Sequence, residues 1–194
     1  MSGTVYGRAG ENLSSFSGDA GRGGQERGRR AEGDTAELLG AWAERGLTVL
    51  HSVRVRGGAA DIDHVLVGAR GVVLIDTKAW KPGLYLTVGS RTYRWVRGRA
   101  LPERFTPGES TSMARSARQM REAGIPVVGA VVAVWSTGTG RVCLGLARYP
   151  GATRVAAARR AVRAAGRLAG RGAAAPTLVA QVAEWVRANE RTRS

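Results

Sequence analysis

The sequence predicts a mixed α/β fold: a mixed sheet with helices on its faces. Three observations predict it. An amphipathic helical stretch near residue 31 is followed by three strand-length runs rich in Val, Ile and Leu. A second helical stretch then precedes PVVGAVVAVW at 126–135, a nearly continuous apolar run suited to a strand buried on both faces. Beyond it the chain returns to helical spacing, and the order α-β-β-β-α-β with helical additions results.

Each element has its own signal. Residues 1–27 are rich in Gly and Ser without a sustained apolar period and read as a disordered leader, so order is expected near Gly28. In AEGDTAELLGAWAERG, Leu38, Leu39 and Trp42 share one helical face, and Gly46 supplies a stop. LTVLHSVRV, DIDHVLV and GVVLIDTK follow as strands, separated by RGGAA and GAR. LYLTV and TYRWV flank GSR as a small hairpin. SMARSARQMREAG is expected to be helical and RVCLGLA to be a further strand. RVAAARRAVRAAGRLAG and PTLVAQVAEWVRANE read as C-terminal helices, the second starting at Pro176 with Leu178, Val182, Trp185 and Val186 on one face.

A chain of 194 residues accommodates one domain with a proper hydrophobic core and leaves little room for a second. Its formal charge of +15 favours a polyanionic partner such as nucleic acid. Yet all but Lys78 and Lys81 of the 30 basic residues are arginine, in a chain crowded with Ala and Gly, so compositional drift toward a solvated arginine surface explains the charge equally well. Against that background a lysine at 78 asks for a chemical reason, because lysine is a compact point charge with an adjustable pKa. A lone cysteine, Cys143, excludes an intrachain disulfide, and His51 and His64 are too few for an evident zinc cluster. With no apolar run of about 18 residues and no apolar core of a signal peptide, the chain reads as cytoplasmic, with no membrane partner.

The stretch DIDHVLVGARGVVLIDTK at 61–78 places carboxylates and that lysine on two core-like strands. Alternation puts Asp63 with Val65 and Val67 on one face, and Asp76 and Lys78 with Val72 and Leu74. A turn centred on Ala69 and Arg70 pairs Val67 with Val72, Val65 with Leu74 and Asp63 with Asp76. Carboxylates so opposed repel unless a cation lies between them, and Mg²⁺ is commonly held by one or two carboxylates while phosphate and water complete its shell. Such a set suits phosphodiester hydrolysis, with Asp63 and Asp76 as ligands and Lys78 as the positioning cation. In the same register Asp61 lies opposite Lys78, and spacing alone favours a surface salt-bridge cluster of Asp61 and Asp63 with Lys78 over catalysis.

DIDHVLVGARGVVLIDTKAW resembles the signature of the nuclease-related domain (NERD), a branch of the PD-(D/E)XK nuclease superfamily. The matching residues are Asp61, Ile62, Asp63, His64, Gly68, Gly71, Asp76, Thr77, Lys78 and Trp80. GRRAEGDTAELL is similar to the family's first-helix segment through Gly28, Glu32, Thr35, Ala36, Leu38 and Leu39, with Ala31 replacing a glycine and Asp34 offering a competing acid. The resemblance covers about 28–150 and implies a restriction-endonuclease-like α-β-β-β-α-β core, with 151–194 as a helical extension of the same domain. It further implies that Asp63 and Asp76 bind Mg²⁺ or Mn²⁺, that Lys78 is the catalytic lysine, and that Glu32 is an accessory acid acting through water. Asp76 stands where the family usually carries Glu. Arg115, Arg118 and Gln119 on the second helix are alternatives for a further polar contribution.

Other residues admit two readings each. His64 falls on the face opposite Asp63, which favours a structural histidine bonded near the first helix over a general base. Trp80, Tyr85, Tyr93 and Trp95 alternate with Lys81, Arg91, Arg94 and Arg97, as suits stacking on single-stranded bases or a hairpin packed on the core. Arg159, Arg160, Arg163 and Arg167 lie on the polar side of an Ala-rich helix, tracking a phosphate backbone or keeping it soluble. The expected function is a metal-dependent nuclease acting on DNA; a noncatalytic nucleic-acid-binding or partner-binding module of the same fold is the alternative.

Overall fold

A computed structural model describes residues 3–9, 22–55, 61–88, 91–103, 107–148 and 153–191. In chain order the elements are β1 (Val5–Tyr6), α1 (Arg22–Ala43), β2 (Thr48–Val53), β3 (Ile62–Gly68), β4 (Gly71–Trp80), β5 (Gly83–Val88), β6 (Arg91–Val96) and β7 (Arg99–Glu103). Then follow α2 (Pro107–Glu122), β8 (Val127–Ser136), β9 (Val142–Leu146), β10 (Arg154–Ala157), α3 (Ala158–Ala169) and α4 (Pro176–Arg191). The result is a mixed α/β structure with a mixed central sheet and four helices among the described residues.

The central sheet has six strands in the order β1-β2-β3-β4-β8-β10. Strands β2, β3 and β4 form an antiparallel meander, while β4 runs parallel to β8, β8 parallel to β10 and β1 parallel to β2. Both faces are covered, so β4 and β8 are apolar on both sides, as their sequences require. One face packs Val65, Val67, Val72 and Leu74 against Met113, Ala117 and Met120 of α2 and Val182 of α4. The other packs Leu66, Val73, Ile75 and Ala133 against Leu39 of α1 and Ala161, Val162 and Ala165 of α3.

The register of β3 and β4 is the expected one: Val67 pairs with Val72, Val65 with Leu74, and Gly68 with Gly71 around the turn. Gly71 has φ +135, and a Cβ there would collide with the Pro126 carbonyl, so the turn's second glycine is demanded by backbone and space alike.

Three expectations change. The leader over 1–27 is not uniformly unstructured: Val5 and Tyr6 pair with Val49 and Leu50, and α1 starts at Arg22, six residues before Gly28. Residues 10–21 of it lie outside the described residues, as does the RGGAA link at 56–60. RVAA at 154–157, read as helix for its alanines, is instead strand β10, because pairing with Val131–Val134 of β8 satisfies its backbone. The hairpin is part of a second, four-stranded sheet in the order β7-β6-β5-β9, in which β9 joins β5 in parallel.

Within that second sheet Tyr85 is buried, stacks on Trp80 with ring centroids 4.8 Å apart and donates its hydroxyl to the Lys81 carbonyl at 2.8 Å. Trp95 lies on the exposed side. The aromatic cluster is thus divided between packing and surface. No helix among the described residues is long and apolar enough to cross a membrane.

Candidate active site

The site is built where β3 and β4 part. Their ladder runs from Gly68↔Gly71 to His64↔Ile75, and beyond Ile75 strand β4 continues on β8, from Asp76↔Val132 to Trp80↔Ser136. The next rung would join Asp63 and Asp76. Instead the Thr77 amide N–H donates to Asp63 Oδ2 at 2.6 Å, so a side chain occupies the donor of the opening ladder. This bond fixes the Asp63 carboxylate beside Asp76.

Lys78 Nζ lies 3.0 Å from Asp76 Oδ1, within hydrogen-bond and ion-pair distance. The side chains of Asp76 and Lys78 are 11 % and 24 % exposed, which sets the pair apart from a solvated surface salt bridge. Glu32, on α1, is buried as well. Burial first, and then the charge of Asp76, push the Asp63 carboxyl well above its ordinary range; Glu32 adds to the rise, while Lys78 and the Thr77 N–H oppose it. Asp63, Asp76, Lys78 and Glu32 therefore act on one another electrostatically, with carboxylates in excess over the single lysine.

The helix bearing Glu32 is tied to this strand through Thr35. Its hydroxyl donates to the Ala31 carbonyl at 2.8 Å and accepts from Thr77 Oγ1 at 3.2 Å and from Trp135 Nε1 at 2.8 Å. All three hydrogen-bonding positions of the hydroxyl are used. Thr77 thus serves twice: its amide orients Asp63 and its hydroxyl grips α1. Sequence reasoning recorded Thr35 and Thr77 as motif residues without a role and passed over Trp135; the sequence signal was a threonine set between an acid and a lysine on an apolar strand.

His64 is fully buried, as a structural residue should be, but its partner differs from the expected one. It faces His51 across β2 and β3, with the two Nδ1 atoms 2.7 Å apart, so the bond is to the neighbouring strand and not near the first helix. Burial, followed by His51, lowers the His64 pKa to about 3, and burial lowers that of His51. Both rings are neutral near pH 7, and one donates while the other accepts.

The tentative nucleic-acid contacts are dispersed over two elements, β6 and α2, and the connector between β4 and β5. Lys81 and Arg91 are exposed beside and on the second sheet, and Arg94 donates to the Pro82 carbonyl at 3.2 Å. On α2, Arg115 is exposed, Arg118 pairs with Glu122 at 3.7 Å, and Gln119 is half-buried. These six residues therefore do not share one element or one sheet.

No group of three or more His, Cys, Asp or Glu side chains that could enclose a metal occurs among the described residues. Asp63 and Asp76 are the residues that could hold an ion at this place.

Comparison with curated proteins and with solved structures gave no match. A family model described as "Nuclease-related domain" matches residues 27–134. That stretch holds most of α1, including Glu32, the β3–β4 hairpin and nearly all of β8, hence every element around the four charged residues. It amounts to more than half of the 194 residues, and the chain belongs to the nuclease-related domain family.

Proposed function

We propose that this protein is a metal-dependent nuclease that hydrolyses DNA phosphodiester bonds, built on a restriction-endonuclease-like α-β-β-β-α-β core. The observation that carries the reading is the meeting of Asp63, Asp76, Lys78 and Glu32 where β3 and β4 part, with the Asp63 carboxyl raised by burial and then by the neighbouring carboxylates. A cytoplasmic location and DNA as the partner belong to the same reading.

The donor set fits Mg²⁺ or Mn²⁺. Both ions prefer oxygen ligands, and two carboxylates with too little compensating charge make a site that a dication would neutralise. When bound, such an ion supplies Lewis acidity toward a phosphoryl oxygen and the attacking water. Asp63 and Asp76 would hold it, the former kept in place by the Thr77 amide. Lys78, 3.0 Å from Asp76, orients the water and offsets charge gathering on the phosphoryl oxygens. Glu32, near enough to raise the Asp63 carboxyl, would serve as the accessory acid acting through water.

Cleavage tests the reading. Purified protein nicks or degrades DNA with Mg²⁺ or Mn²⁺ and not with EDTA, and Asp63→Ala and Lys78→Ala each lose about a hundredfold or more in rate while remaining folded. Absence of cleavage of any DNA or RNA form, or equal cleavage by both variants, would leave the noncatalytic binding module as the function of this fold.

A further inference from the structure

A second charged site lies at the opposite end of the β3–β4 hairpin. A cavity of about 990 Å³ opens between the end of α1, the Ala69-Arg70 turn and the C-terminal half of α3. Arg45, Arg70, Arg163, Arg167 and Arg171 line it, and no carboxylate does. The arginines come from four separate segments, and none of the five forms an ion pair among the described residues. Arg70 in the turn is six residues from Asp76 along the chain, or roughly 20 Å at strand rise, so this site does not share the carboxylate centre.

Its floor is specifically fitted. Trp42 lies against Gly166, where any Cβ would collide with the indole, and the Arg45 guanidinium covers the ring 5.0 Å from its centroid. The Arg70 amide donates to the Ala169 carbonyl at 2.8 Å, which locks the hairpin turn onto the end of α3. The arginines are therefore presented by a fixed frame.

Helix dipoles account for only part of this charge. Cations are favoured at helix C-termini, and α1 and α3 both end here, but two ends supply about −1 in total against five guanidiniums. An excess of about +4 remains. A chloride or a single phosphate would leave most of it uncompensated, whereas a chain of three or more phosphates carries matching charge and offers the paired oxygens that guanidinium forks bind.

We propose that this cavity binds a compact polyphosphate, such as the phosphate tail of a nucleoside triphosphate. The volume lies at the upper end of the range for small-ligand pockets, about 300–1,000 Å³, and leaves room for a nucleoside beyond the phosphates. The gathering of five arginines from four segments around one opening favours a compact ligand over an extended nucleic-acid backbone. The site stands independently of the nuclease reading.

Calorimetric titration of the whole chain in EDTA at low salt tests it, with tripolyphosphate, ATP, orthophosphate and a single-stranded oligonucleotide as ligands. Tripolyphosphate and ATP bind one to one, and orthophosphate binds at least about tenfold more weakly. The double variant Arg163→Ala/Arg167→Ala weakens tripolyphosphate at least about tenfold, while the charge-matched Arg97→Ala/Arg99→Ala changes it by less than about twofold. Asp63→Ala binds as wild type does. Tighter binding of ATP than of tripolyphosphate assigns the nucleoside to the site; equal binding assigns the phosphate chain alone. No binding, equal losses in the two double variants, loss in Asp63→Ala, or binding of the oligonucleotide alone would each overturn the proposal. All four substituted arginines are exposed, so the variants retain the core.

Discussion

Asp63 is held at the expense of the metal-free protein. Its carboxyl titrates above its ordinary range when folded, so the unfolded chain releases that proton first. Stability without metal consequently falls as pH rises from the ordinary carboxylate value through the folded one, and stays lowered above it. Asp63→Asn keeps an oxygen for the Thr77 amide and removes the charge. It is expected to raise the metal-free unfolding midpoint near pH 7 while abolishing the stabilisation that Mg²⁺ gives the wild type; thermal melts with and without Mg²⁺ check both. His64 has the opposite sign. Its pKa of about 3 in the fold lies below the ordinary histidine value of 6.5, so its contribution is whole above pH 6.5 and is lost as pH falls. The loss amounts to at most about 1.4 kcal/mol per pH unit. Denaturation between pH 6.5 and 4.5 should show it, and His64→Gln should flatten the slope.

At the scale of elements, Thr35 decides how α1 meets β4 and β8. Thr35→Val strands the Trp135 indole N–H and the Thr77 hydroxyl, which should cost about 2 kcal/mol or more by chemical denaturation. Cleavage should weaken through Glu32, and Thr35→Ser should restore both. The β3–β4 hairpin was legible in the sequence because alternation and Gly-x-x-Gly fix its register locally, although the expected Asp63–Asp76 rung gives way to the Thr77 amide bonding the Asp63 carboxylate. What was not legible depends on distant partners. Strand β7, RALPE, has no clean alternation and carries Pro102, tolerable at the edge of the second sheet. Strand β10 was hidden by alanine's helix preference, and β9 reaches β5 across more than fifty residues of chain. The Thr35-Thr77-Trp135 junction likewise joins residues 42 and 100 positions apart, and His51 meets His64 through a register that a five-residue link does not fix.

For the whole molecule, charge is sorted along one hairpin: carboxylates gather where its strands part, and uncompensated arginines surround its turn. The net charge of +15 predicts DNA binding that weakens steeply with salt. Four phosphate contacts would give a slope of about −4 in log K against log salt for duplex DNA, measurable by anisotropy with the Lys78→Ala variant in EDTA. The tryptophans offer a way to watch the two ends separately. Trp135 donates its indole proton to the oxygen that also accepts from Thr77, which sits between Asp76 and Lys78 in the chain, whereas Trp42 lies on Gly166 at the arginine-lined end. In one ¹⁵N-labelled sample, the Trp135 indole resonance is a natural reporter of ion occupancy at the carboxylates and that of Trp42 a reporter of anion occupancy, each with the other as its internal control.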